Sequence, residues 1–386
     1  MNKYVYGLDY QTNEPIGVGI INGVIEIVER VTSPGSETDL YVAPGLVDLQ
    51  LNGYSGVDFN SSDLTCEDIR RVTEKVCRDG VTTYFPTVIT NSGETTEKLL
   101  KIIAGSCGTD PFIDKFIGGI HLEGPFISPE DGPRGAHPGD FVQAPDWDLF
   151  CRFQEAANVL IRMITLSPEW PQTVGFIEKC VKTGVKVGIG HTAASNEQIR
   201  QAVDAGATIS THLGNGCHAL LPRHHNYLWE QLASDQLWLS CIGDSFHLPA
   251  AILKVFLKVK PDKSVLISDA TSFAGMNPGI YSGHIGGKVQ LLENGRLATA
   301  EDQNVLAGAA LPLKAGVAHL FRENIASLGE AWDLASVQPL TFLNGIREEG
   351  LQEGRCADMV LFRIQKHDIE IVETIKDGVS VYRKNN

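Results

Sequence analysis

The chain has 386 residues, and its 32 Lys and Arg stand against 47 Asp and Glu, a net charge of −15. That excess argues against nucleic acid or an anionic membrane as the main partner. A hydrophobic fraction of 43% with 20% charged residues is globular, not disordered. The length exceeds the ~250–300 residues at which one core stops growing, so more than one structural unit is expected.

The N-terminal stretch Met1–Gln11 has one Lys and no apolar run behind it, so it does not read as a secretory signal. No segment approaches ~20 uninterrupted apolar residues, so no membrane-spanning helix is expected. Eight cysteines are scattered singly without a C-x-x-C pair. Buried free thiols in a reducing cytoplasm are the simplest expectation.

In chain order, the first elements are Ile16–Ile20 and Val24–Val28, joined by Asn22-Gly23, a strong hairpin signal. The far end is similar. Ala357–Phe362, Ile369–Val372 and Val379–Val381 read as strands, with Asp377-Gly378 as a turn. Residues 1–45 and 355–386 are therefore assigned to one small β domain built from both termini.

The middle, residues 46–354, has another rhythm. Eight apolar runs end in polar residues: Leu46–Leu51, Thr82–Ile89, Phe116–Leu122, Ile161–Leu166, Val185–Gly190, Thr208–His212, Leu239–Ile242 and Ser264–Ile267. Helical patterns fall between them, at Cys66–Arg78, Thr95–Ile103, Gln172–Thr183, Asn196–Ala205, Leu248–Lys258 and Leu311–Phe321. That count is the count of a (β/α)8 TIM barrel in the α/β class. A doubly wound sheet is the alternative, but Leu51–Gly56 lacks the G-x-G-x-x-G spacing it favours.

In a barrel the C-terminal strand ends carry the active site. The third run ends in His121-Leu122-Glu123, whose two polar residues share a strand face. The fifth ends at His191, the sixth at His212, and the eighth at Asp269. Two imidazoles and a carboxylate suit a catalytic zinc with one open position. A further carboxylate can shuttle the proton of an attacking water, the role open to Asp269. Any one of these residues alone reads equally as a hydrogen-bonded strand end.

Pro44–Gly53, His121–Phe126, Gly190-His191-Thr192, Thr211–Asn215 and Ser268-Asp269-Ala270 together resemble the N-acetylglucosamine-6-phosphate deacetylase family of the amidohydrolase superfamily. The resemblance runs from about Pro44 to Asp358. It implies a TIM barrel with a small β-sandwich from both termini. Glu123, His191 and His212 are implied as metal ligands and Asp269 as general acid/base. Many amidohydrolases carry H-x-H on the first strand, where this chain has Gln50-Leu51-Asn52. One divalent ion is therefore expected, Zn2+ before Fe2+, with Gln50 and Asn52 lining the site.

The same resemblance implies His137 as a carbonyl-polarising residue and Asn215, Gly216 and His247 as substrate contacts. Arg223 matches an arginine lent to the phosphate of a neighbouring subunit, which implies a homodimer. The expected substrate is a small amino sugar, N-acetylglucosamine 6-phosphate, with no nucleic-acid or membrane partner. The segment Leu220–Trp229 departs from better-known members. An amidohydrolase acting on an unphosphorylated N-acetylhexosamine or an N-acyl amino acid is the alternative, and a non-catalytic barrel scaffold the third reading. His224 is read as a helix cap, and the roles of His121 and His225 stay open.

Overall fold

The computed structural model describes residues 3–33, 39–283, 287–366 and 368–385. Eight strands form the barrel: β1 (Leu46–Leu51), β2 (Val81–Ile89), β3 (Ile120–Glu123), β4 (Ile161–Leu166), β5 (Lys186–Ile189), β6 (Ile209–Ser210), β7 (Trp238–Ile242) and β8 (Ser264–Ile267). They pair in parallel and in chain order. A parallel bridge between Leu51 and Ala270 closes the ring, with Asp269 N donating to the Gln50 carbonyl at 3.0 Å. Each predicted apolar run supplies one barrel strand.

Alternation along the strands divides two cores. On β4, Ile164 and Leu166 pack outward with Phe150, Phe153 and Phe176 of the surrounding helices. Met163 points the other way, into a plug with Val47, Leu49, Phe85, Ile209, Val265 and Ile267. The barrel is thus a packed interior below its mouth, not a pore.

The predicted helices form with shifted ends. Cys66–Val76 begins at a capping box of Thr65 and Asp68, and Asn196–Asp204 at one of Ser195 and Gln198. The second helix runs Gly93–Thr109, longer than expected, because Ser92 caps it early. Phe116 ends a short helix, Pro111–Phe116, rather than starting a strand; Asp110 caps it and Pro111 sits at its first turn. A three-stranded antiparallel sheet of Gly279–Ser282, Lys288–Leu291 and Leu297–Thr299 follows β8. Its strands are only three or four residues long, too short to show a period in the sequence. Among the described residues, no helix is long and apolar enough to cross a membrane.

The chain ends form one seven-stranded sheet, in the order 379–383, 368–376, 359–365, 41–44, 3–9, 15–21, 24–30. It folds over a core containing Val18, Val42, Met359 and Ile375. The two predicted turns meet where it folds. Gly23, at φ +83°, lies so close to the Asp377 carbonyl that a Cβ there would sit 2.8 Å from the oxygen. Val24 also bridges Cys356.

Trp332 joins sheet and barrel. Its indole N–H donates to the Pro44 carbonyl at 2.8 Å, and its ring stacks on Phe362 at 4.3 Å. The side chain is fully buried. Trp332→Ala is expected to cost about 3–5 kcal/mol of stability, read as a lower midpoint in denaturant unfolding.

Candidate metal centre and active site

β3 carries His121 and Glu123 on its inner face. Glu123 is buried at the barrel mouth, and its Oε1 accepts from Gln50 Nε2 at 2.9 Å. The same oxygen lies 2.9 Å from His212 Nε2 and 3.3 Å from His191 Nε2. The two Nε2 atoms are 3.1 Å apart. Ligands about 2.0–2.1 Å from a tetrahedral ion stand about 3.3 Å from one another. Three separations of 2.9–3.3 Å therefore fit one small divalent cation.

The tautomer of His191 also fits. Its Nδ1 lies 2.8 Å from the Pro133 carbonyl, which can only accept, so that proton is on Nδ1 and the Nε2 lone pair faces the cluster. Burial opposes ionisation of Glu123, but its interaction with His191 and His212 holds its carboxyl well below the usual carboxylate range. Burial works to lower His212, and the hydrogen bond with Glu123 raises it.

Three of the convergent residues leave their strands in the left-handed region: His191 at φ +49°, His212 at +31° and Asp269 at +49°. Such backbone is costly, by about 1–3 kcal/mol each, and persists only where neighbours impose it. Here the His212 N–H donates to Ser240 Oγ, the His191 carbonyl accepts from Ser128 N, and Asp269 N donates to the Gln50 carbonyl. The turn swings each side chain from the strand line toward the mouth.

Asp269 accepts from Asn52 Nδ2 at 2.7 Å. Burial, then the Glu123 charge, push its carboxyl up to about 6. The carboxamides of Gln50 and Asn52 thus each hold one of the two site carboxylates. His137 is buried, with Nδ1 2.9 Å from Thr90 Oγ1 and its ring edge-on to His191 at 4.4 Å. Burial, reinforced by His191, pushes it down to about 3, so it is a neutral imidazole.

Asn215 donates from Nδ2 to the His212 carbonyl at 3.3 Å. Gly216 backs directly onto His191, where a Cβ would come within 2.7 Å of Nδ1. Both line a cleft with His191, Thr192, Cys217 and Tyr227. His247 is held by Asp244, Nδ1 to Oδ2 at 2.7 Å, and stands close enough to Asp269 to influence it electrostatically. Arg223 is the exception. It lies exposed on a loop beside His224 and His225, and among the described residues it meets no carboxylate. His224 caps no helix; Asn226 does, accepting from Leu228 N and Trp229 N, because its short carboxamide reaches the first turn.

Several supporting residues carried no sequence signal of their own. Thr90 and the Pro133 carbonyl are partners brought by folding. Asp48 was findable as a polar residue in the apolar run Leu46–Leu51. It is buried, accepts from Ser268 N at 3.1 Å just before Asp269, and is pushed up to about 7 by that burial.

No family model matches the chain. The N-acetylglucosamine-6-phosphate deacetylase of Danio rerio is 31% identical over 358 residues, 89% of this chain and 85% of the relative. That of Bacillus subtilis is 30% identical over 375 residues, 94% and 91% of the two chains. Among solved structures, the N-acetyl-D-glucosamine-6-phosphate deacetylase of Mycobacterium smegmatis, an Asp-to-Ala variant in complex with N-acetyl-D-glucosamine-6-phosphate, has a TM-score of 0.84 at 26% identity. It covers 98% of this chain and 99% of that one. By sequence identity over nearly its whole length, and by a barrel of the same fold, the chain belongs to the N-acetylglucosamine-6-phosphate deacetylase family of the amidohydrolase superfamily.

Proposed function

We propose that the protein hydrolyses the acetamide of N-acetylglucosamine 6-phosphate, giving glucosamine 6-phosphate and acetate. The observation that carries this is the convergence of Glu123, His191 and His212 on one point beside the Asn52-held Asp269. Glu123, His191 and His212 would hold one divalent cation there, Zn2+ first by its preference for imidazole with carboxylate, and it would supply polarisation of a carbonyl oxygen and a lower pKa for water.

Asp269 accepts a proton from the attacking water as its oxygen bonds to the acetyl carbon. It then delivers that proton to the sugar nitrogen as the C–N bond breaks, leaving a free amine and acetic acid, which loses its proton to solvent or to the amine as acetate. Neutral His137, with Nδ1 accepting from the Thr90 hydroxyl, offers its Nε2–H to the carbonyl oxygen as negative charge develops there. Gln50 and Asn52 stand where H-x-H relatives hold a second ion. As donors to the two carboxylates they support a one-metal site.

Asn215, Gly216 and His247 are assigned to the sugar and its phosphate. Arg223 is assigned to the phosphate of a second subunit. Its loop and the following helix leave Leu220 91% and Trp229 54% exposed, apolar surface that a second copy would cover in a homodimer. All eight cysteines are free, which fits a reducing cytoplasm, but Cys66, Cys151 and Cys356 are exposed rather than buried because they lie on outer helix and loop surfaces.

Asp269→Asn is expected to fold and keep its metal while kcat falls roughly 10²–10⁴-fold; near-normal turnover would exclude Asp269 as the base. The base form lies above its pKa, so kcat/KM should hold at neutral pH and fall as pH drops through about 6, or lower once the cation's charge favours the carboxylate; a pH–rate profile reads the limb. Glu123→Gln is expected to leave the fold intact and the purified protein without bound metal, measured by elemental analysis. Arg223→Ala is expected to raise KM for the phosphorylated sugar at least about tenfold and leave that for N-acetylglucosamine unchanged. Unchanged kinetics with both sugars would favour the unphosphorylated substrate.

A further inference from the structure

Beneath the ligands lies a second polar layer that the proposed chemistry does not use. His121 Nε2 is 2.7 Å from Thr165 Oγ1, and Thr165 Oγ1 is 2.8 Å from Thr211 Oγ1. All three side chains are buried. They come from β3, from β4 and from the end of β6, so the two threonines meet across the intervening strand β5. Gly188 on that strand and Gly190 just past its end make room for the contact. A Cβ at Gly188 would sit 2.5 Å from Thr211 Oγ1 and 3.2 Å from Thr165 Oγ1. A Cβ at Gly190 would sit 2.9 Å from both threonine side chains.

Each end of this chain adjoins a residue of the metal cluster. Thr211 immediately precedes His212. His121 is two residues before Glu123 on one strand face, and Thr165 is the register partner of Glu123 on β4. We infer that the His121–Thr165–Thr211 bridge across the glycine-bearing strand β5 positions Glu123 and His212 for the metal, and this rests on the metal reading given above. The three are positioning residues and touch neither metal nor substrate.

The test is Zn2+ affinity of the metal-free protein, measured by chelator competition, beside its unfolding temperature without metal. Thr211→Val keeps the shape and removes the hydroxyl; Gly188→Ala keeps both hydroxyls and wedges them apart. Each is expected to weaken Zn2+ binding about 10–100-fold; the metal-free unfolding temperature stays near that of wild type in Thr211→Val and falls in Gly188→Ala, whose added Cβ overpacks the layer. Thr211→Ser is expected to restore wild-type affinity. Thr165→Val with Thr211→Val should lose no more than the worse single variant, since either breaks the same bridge. Wild-type affinity in Thr211→Val, or a Ser variant as weak as the Val variant, overturns the inference while leaving the metal reading intact. A wild-type protein that binds no Zn2+ overturns the metal reading itself, and the positioning role with it.

Discussion

The site depends on one buried negative charge. Glu123 is ionised at the mouth of a barrel whose interior below is an apolar plug, and such a charge persists only with compensation close by. Gln50 donates to it, and His191 and His212 press their Nε2 atoms toward the same oxygen. Left-handed backbone at His191 and His212 brings both rings to that oxygen. The three groups form a cluster that could hold one small cation.

The same charge sets the behaviour of its neighbour. Asp269 shares the pocket with Glu123 and cannot ionise as readily, which supports the proposed division into a ligand, Glu123, and a proton carrier, Asp269. The carboxamides on β1 keep the two apart in role. Asn52 holds Asp269 and Gln50 holds Glu123, and neither offers the lone pair of an imidazole to a second metal. Net charge adds a constraint. At −15 the protein repels an anionic substrate at long range, so recognition of a phosphate has to come from short-range groups, the role proposed for His247 and Arg223.

Below the site the barrel changes character in steps. Met163, Ile209 and Val265 fill the base, then His121, Thr165 and Thr211 form a polar tier, and the ligands stand above. β5 contributes no inward side chain at Gly188 and Gly190, which lets residues of β4 and β6 meet. A strand that looks weak by composition is the one that allows the polar tier to close.

Much of this was legible in the residues alone. Eight apolar runs of strand length specify eight strands, because a run buried on both faces has to be apolar throughout. Strand parity places His121 with Glu123, and the strand-end rule selects His191, His212 and Asp269 out of all the ionisable residues. Asn22-Gly23 and Asp377-Gly378 mark their turns because few residues accept positive φ. Partners distant in sequence were not legible. Thr90 meets His137, Pro133 meets His191, and Asn226 rather than His224 caps its helix; each depends on how loops pack, not on local period. The glycines of β5 are the clearest case. In sequence they are turn-prone residues in a strand, and only the approach of Thr165 to Thr211 shows why a methyl group has no room there. Local periodicity and residue chemistry determined which side chains reach the barrel mouth. Tertiary packing alone decided the distances between them, because those distances are set by atoms on strands that the sequence keeps far apart.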